Sequence, residues 1–148
     1  MLHPEVGHML LVPHPDDPYT GHCPFHGNCF EGMASGPALE ERWGRTGREL
    51  ADNQKAWEIE AYYIAQALCN LILSLSPKRI ILVMHQEQLF PMIRRQVVSQ
   101  LNGYLHTKEL SDITSYIVPA SLHDDQGIMG CIRLAIEEKE RSAASARA

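Results

Sequence analysis

The chain has 148 residues, 45% of them hydrophobic, and a formal net charge of −5. That length holds one domain with a core of its own, and that apolar content excludes a disordered chain. The acidic balance excludes a basic nucleic-acid surface, and no apolar run approaches the ~20 residues of a membrane span.

Met1 to Glu5 has neither the basic start nor the apolar stretch of a signal peptide. A cytoplasmic protein with reduced thiols is therefore expected, without nucleic-acid or membrane partners. Val6 to Val12 is mostly apolar and predicts a short strand. Pro13 to Asn28 carries Pro, Gly, Asp and His and predicts a long loop. Such a loop in a compact domain needs a function or a metal clip. Phe30 to Trp43 predicts a helix broken at Ser35-Gly36-Pro37, where the proline suits a new first turn. Gly44 to Asp52 predicts loop.

Trp57, Ala61, Ile64, Ala65, Leu68, Ile72 and Leu75 recur at helical spacing. They predict a helix from about Gln54 to Leu75, stopped by Pro77. Ile59, Tyr63 and Leu71 make its other flank apolar too, so this helix is expected to be buried. Ile80 to Met84 predicts a buried strand of a parallel sheet. Gln86 to Leu101 predicts a helix with Leu89, Ile93, Val97 and Leu101 in register and Asn102-Gly103 as its cap. Ser115 to Val118 predicts a strand, Asp124 to Gly127 a turn, and Ile128 to Arg141 a closing helix with a frayed tail. The alternation predicts an α/β domain with a mostly parallel sheet.

Of the four cysteines, Cys69 and Cys131 fall in apolar helical patterns and are expected as small core residues. Cys23 and Cys29 fall among turn formers, in the stretch HCPFHGNC. Cys23, His26 and Cys29 are spaced C-x2-H-x2-C, and His8 stands at the end of the first apolar segment. Gly27 permits a tight fold and Pro24 stiffens it. Two thiolates and two imidazoles make a tetrahedral set suited to Zn²⁺, and four protein ligands make the site structural rather than hydrolytic. Two other readings stand beside it. One is a loop that is merely rich in His and Cys. The other is a redox pair, for which Cys-x5-Cys spacing is a poor match to C-x-x-C.

The stretches HPEVGHMLL and HCPFHGNCFEGMASGPALEERWG resemble the ROK family of sugar kinases. That family is marked by an E-x-G-H segment, a Cys-rich zinc loop ending in G-C-x-E, and S-G-P/x-A-L. The C-P-F-H-G-x-C loop and the H-P-E-x-G-H segment are similar to the bacterial fructokinase branch, as are AWEIEAYYIAQAL, HQEQLFPMIR and DDQGIMGCIRLA. The likeness covers nearly the whole chain. It implies the actin-like (ribonuclease-H-like) ATPase fold, with residues 1–148 forming one C-terminal lobe and a zinc-clipped loop over about residues 8–31. It implies His8, Cys23, His26 and Cys29 as zinc ligands, and Glu5, His8 and Glu31 as residues facing sugar hydroxyls. Carboxylates suit that task because they accept hydrogen bonds from neighbouring hydroxyls. In the complete family enzyme, ATP and Mg²⁺ would phosphorylate the 6-hydroxyl of fructose or a related hexose, and family members are commonly homodimers.

Two departures from the pattern bear on activity. The family's first lobe carries a D-x-G-G-T phosphate turn and an E-N-D segment with the general base; neither occurs here. Where the family places G-G-G between a strand and the following helix, RIILVMHQEQ runs straight through. The missing turn is expected to pull Val83 and Met84 out of the strand. Phosphoryl transfer depends on positioning both nucleotide and hydroxyl, so the resemblance implies an N-terminal lobe that is absent, no catalytic residue in these 148, and no turnover from them alone. The alternative is a non-catalytic, zinc-stabilised, self-associating module. A transcription regulator of the same family would carry a helix-turn-helix ahead of Glu5, and none is read there.

Overall fold

A computed structural model describes residues 3–84, 86–122 and 125–145. Among the described residues the chain begins with a 3-10 turn, Val6–His8. Helices α1 (Phe30–Ala34), α2 (Gly36–Trp43) and α3 (Gln54–Leu75) follow. Strand β1 (Ile80–Leu82), α4 (Leu89–Leu101), α5 (Lys108–Ser111), α6 (Ile113–Tyr116), β2 (Ile117–Pro119) and α7 (Gln126–Ser145) complete the order.

Helix α3 is the spine. The Asn53 side chain accepts from Ala56 N–H and so fixes its start. Ser76 ends it in the left-handed region (φ 47°), returning its N–H to the Ile72 carbonyl, and Pro77 forbids a further turn. One flank, with Ala61, Ala65, Leu68 and Ile72, joins the core formed with Leu89, Ile93, Val97 and Leu101 of α4. The other flank, with Ile59, Tyr63 and Ala67, packs with Leu11 and Met33. Each fully buried Leu or Ile contributes about 1.5–3 kcal/mol, which makes α3 the element on which both clusters depend.

β1 and β2 form a two-stranded parallel sheet with Ile80 opposite Ile117 and Leu82 opposite Pro119. Arg94 of α4 donates from Nε and Nη2 to the Ile117 carbonyl, tying helix to sheet. The expected α/β class with a parallel sheet is present. The expected burial of the first strand is only partial: Ile80 is buried but Ile81 is 60% exposed. A parallel strand is covered on both sides only when helices lie on both faces. Val83 and Met84 leave the strand, as the absent glycine turn leads one to expect.

Several expectations need correction. Val6–Val12 is no strand; it holds the 3-10 turn and one isolated antiparallel bridge from Leu10 to Cys29. Its backbone partner is short, with Phe30 N–H donating to the Met9 carbonyl and Leu11 N–H to that of Asn28, and beyond it Val12 pairs with the Gln66 side chain instead. α4 starts three residues later than predicted. The strand predicted at Ser115 starts at Ile117, because Asp112 caps α6 by accepting from Ser115 N–H. Helices α5 and α6 were not anticipated. Cys69 is buried as expected, but Cys131 is exposed, because residues 127–142 of α7 are exposed. The predicted turn at Asp124 to Gly127 lies partly outside the described residues, and Gly127 is already in α7. No helix among the described residues is long and apolar enough to cross a membrane.

Candidate metal centre

The predicted long loop folds back onto its own origin. Asn28 Nδ2 donates to the Leu11 carbonyl at 2.7 Å, and His22 N–H donates to the Gly32 carbonyl at 2.8 Å. Between them the chain reverses tightly: Gly27 N–H reaches the Cys23 carbonyl at 2.9 Å, with Gly27 at φ 60°. A side chain at that φ is disfavoured, so glycine is what permits the reversal. Cys29 then becomes the N-cap of α1, its Sγ accepting from Gly32 N–H at 3.3 Å.

The outcome is a cluster. Ligand atoms of His8, Cys23, His26 and Cys29 all lie within 4.8 Å of one another. His8 Nδ1 is 3.8 Å from Cys23 Sγ and 3.7 Å from Cys29 Sγ, and His26 Nδ1 is 3.7 Å from Cys23 Sγ. Two donors held by one tetrahedral Zn²⁺ at ordinary N and S bond lengths sit about 3.6 Å apart. The donor chemistry and the separations therefore fit that ion. Cys29 is fully buried, Cys23 is buried, His8 is half-buried and His26 is exposed. The Cys23 thiol is lowered to about 6, chiefly by hydrogen bonds from the backbone N–H groups of His26 and Phe25. Burial pushes the Cys29 thiol upward.

Glu31 lies in the first turn of α1, and its carboxylate lies over Gly7. Its Oε2 is 3.7 Å from His8 Nε2. Two of the three expected sugar-facing residues thus meet. The third, Glu5, pairs with His3, 3.2 Å away, and is exposed.

Two polar groups behind the loop escaped the sequence reading. Glu41 accepts from Tyr19 Oη at 2.8 Å and lies 2.7 Å from His22 Nδ1. Its pKa is lowered, first by the hydrogen bond to His22 and then by that to Tyr19. The second is a buried ion cluster of Asp17, Arg42 and Glu60. One signal for it was present: Glu60 is a charge inside a helix that is apolar on both flanks.

The ROK family model matches residues 2–138. The chain belongs to the ROK family. A protein of Bacillus subtilis (strain 168) named "Putative fructokinase" is 52% identical over 149 residues, covering 98% of this chain and 50% of its own length. "Fructokinase" of Pediococcus pentosaceus is 44% identical over 136 residues, covering 90% of this chain and 46% of its own length. "Fructokinase" of Zymomonas mobilis subsp. mobilis is 39% identical over 147 residues, with shares of 95% and 48%. The chain spans about half the length of the curated relatives it matches.

Proposed function

We propose that these 148 residues are the C-terminal lobe of a fructokinase-type ROK sugar kinase, holding a structural zinc and one side of the sugar pocket. The lobe would take the actin-like ATPase fold of its family, with the other lobe supplying the rest. The observation that carries this reading is His8, whose imidazole faces two thiols through Nδ1 and the Glu31 carboxylate through Nε2. His8, Cys23, His26 and Cys29 would hold the zinc, which when bound supplies charge and fixed bonds that clip the loop to α1. Glu31, so positioned, and Glu5 would accept hydrogen bonds from hydroxyls of fructose or a related hexose. A thiolate ligand set suits a reducing, cytoplasmic setting.

The D-x-G-G-T and E-N-D segments do not occur in these residues, which supports ATP and Mg²⁺ chemistry only in a two-lobed enzyme. In a coupled assay with fructose and ATP, the expected turnover is no higher than that of a Glu5→Gln variant. Turnover clearly above that variant would overturn the single-lobe reading. Weak fructose binding, followed by saturation-transfer NMR, should vanish in Glu31→Gln while zinc content stays. An unchanged sugar signal would remove Glu31 from the pocket.

A second reading, self-association into a homodimer without catalysis, is favoured by one observation. A cleft of about 680 Å³ between the sheet and α7 is lined by Ile81, Val118, Pro119 and Met129, and α7 exposes Ile128 and Leu134. Exposed apolar surface of this kind invites a partner. A single monomeric species by sedimentation at micromolar concentration would discard it.

A further inference from the structure

Behind the metal loop, three charges are buried together and the zinc and sugar reading uses none of them. Asp17 comes from the loop, Arg42 from the last turn of α2 and Glu60 from α3, and their side chains are 2%, 4% and 7% exposed. Arg42 Nε lies 3.1 Å from Asp17 Oδ2, and its Nη1 lies 3.6 Å from Glu60 Oε2. Its Nη2 donates to the Met33 carbonyl of α1 at 2.7 Å. The guanidinium carbon is 4.7 Å from the Tyr19 ring centre and 5.3 Å from that of Tyr63. Tyr63 Oη donates to Asp17 Oδ2 at 2.8 Å and accepts from His14 N–H at 2.9 Å. One guanidinium thus fastens the loop to α1 and α3 together.

The charges do not balance if all three groups ionise, since two carboxylates face one cation. The groups facing Glu60 are Arg42 from α2 and Asp17 from the loop. Tyr63 of its own helix and Tyr19 of the loop flank the guanidinium, and α1 offers the Met33 carbonyl. Glu60 Oε2 and the Nε and Nη1 of Arg42 make no well-formed hydrogen bond, and of the two ion pairs that to Asp17 is the closer, 3.1 Å against 3.6 Å. An ionised Glu60 would be a buried anion held only by a loose ion pair, an arrangement whose desolvation cost is poorly offset.

We infer that Arg42 is a positioning residue for the metal loop, and that a proton on Glu60 tightens its hold by leaving Arg42 to Asp17 alone. The link to metal rests on the zinc reading; the docking of the loop on α3 does not. Burial is the main cause that pushes the Glu60 carboxyl up to about 8, partly countered by Arg42. The folded chain then holds more protons than the unfolded one between the ordinary value of 4.5 and about 8. Stability from this group is present in full below 4.5 and is lost as pH rises through about 8.

The test is amide hydrogen exchange on the full chain at about pH 6.5 and about pH 9.5, corrected for intrinsic rates. Protection of residues 13–22 should fall about tenfold or more over that interval, the worth of one pKa unit of coupling, and stay level in Glu60→Gln. An equal fall in both proteins overturns the proposal. Should Glu60→Gln fail to fold, carboxyl carbon NMR of the native chain decides. One glutamate titrating near 8 supports the proposal, and all of them titrating between about 3.5 and 5 overturns it. Zinc release at about pH 9.5 should be faster in the native chain than in Glu60→Gln, and the same in both at about pH 6.5. A chain that binds no zinc but keeps the Glu60-dependent exchange supports the docking while overturning the zinc reading.

Discussion

His8 holds its Nε2 3.7 Å from a carboxylate oxygen of Glu31, while its Nδ1 faces the sulfurs of Cys23 and Cys29. That separation is longer than a direct hydrogen bond. If His8 holds the proposed metal through Nδ1, a carboxylate facing its other nitrogen would help to orient the ring. Any change that moves the loop therefore also moves the carboxylate proposed to meet the sugar.

Metal content gives the first prediction. Chain purified without added metal should carry about one zinc per molecule by mass spectrometry, as one tetrahedral site allows. Chelation should lower the thermal midpoint, because binding free energy at such a site is folding free energy. Cys29→Ser, at a fully buried ligand position, should lose the ion. A folded, soluble chain without zinc counts against the centre.

Two glycines make a paired prediction. A Cβ on Gly32 would stand 1.9 Å from the Gly27 carbonyl oxygen and 3.1 Å from Cys23 Cβ, so Gly32→Ala must push the loop off α1. The expected loss is about 3 kcal/mol in urea unfolding, at the upper end for overpacking, together with loss of zinc. A Cβ on Gly36 would meet nothing within 4 Å, and Gly36→Ala should stay within about 0.5 kcal/mol of the native chain. Equal effects of the two substitutions would mean that Gly32 is not packed against the Gly27 carbonyl.

Tyr63→Phe keeps the ring and removes one oxygen. That oxygen serves Asp17 Oδ2 and His14 N–H, so both lose a partner in or near the core. A buried group left unsatisfied costs about 1–3 kcal/mol. Differential scanning calorimetry should show the loss, and a shift below about 0.5 kcal/mol would show that the two groups find other partners.

The legible parts of this molecule were those whose determinants lie close together in the chain. Asn53, the period of apolar residues and Pro77 fix both ends of α3 within one stretch, and the ends agree with expectation. The gathering of His8, Cys23, His26 and Cys29 was legible for a similar reason, since three of the four fall within seven positions. The Asp17–Arg42–Glu60 cluster was not, because its members meet only once α2 and the loop pack on α3. Val6–Val12 was misread because apolar residues alone do not make a strand; a ladder needs a partner of matching length. Cys131 was misplaced because a helical pattern tells which residues share a face and not what covers it. The short helices α5 and α6 rest on two side-chain caps, Thr107 and Asp112, signals too local to outweigh the nearby β-branched residues.

The four cysteines differ sharply in their surroundings, with Cys131 open to solvent and Cys23, Cys29 and Cys69 buried. A thiol-reactive dye thereby becomes a counter for this chain. Cys131 should react at once, the loop pair only when the clip opens, and Cys69 only when α3 parts from the Val97 carbonyl it faces. The order in which colour develops separates an open loop from a melted domain in a single cuvette.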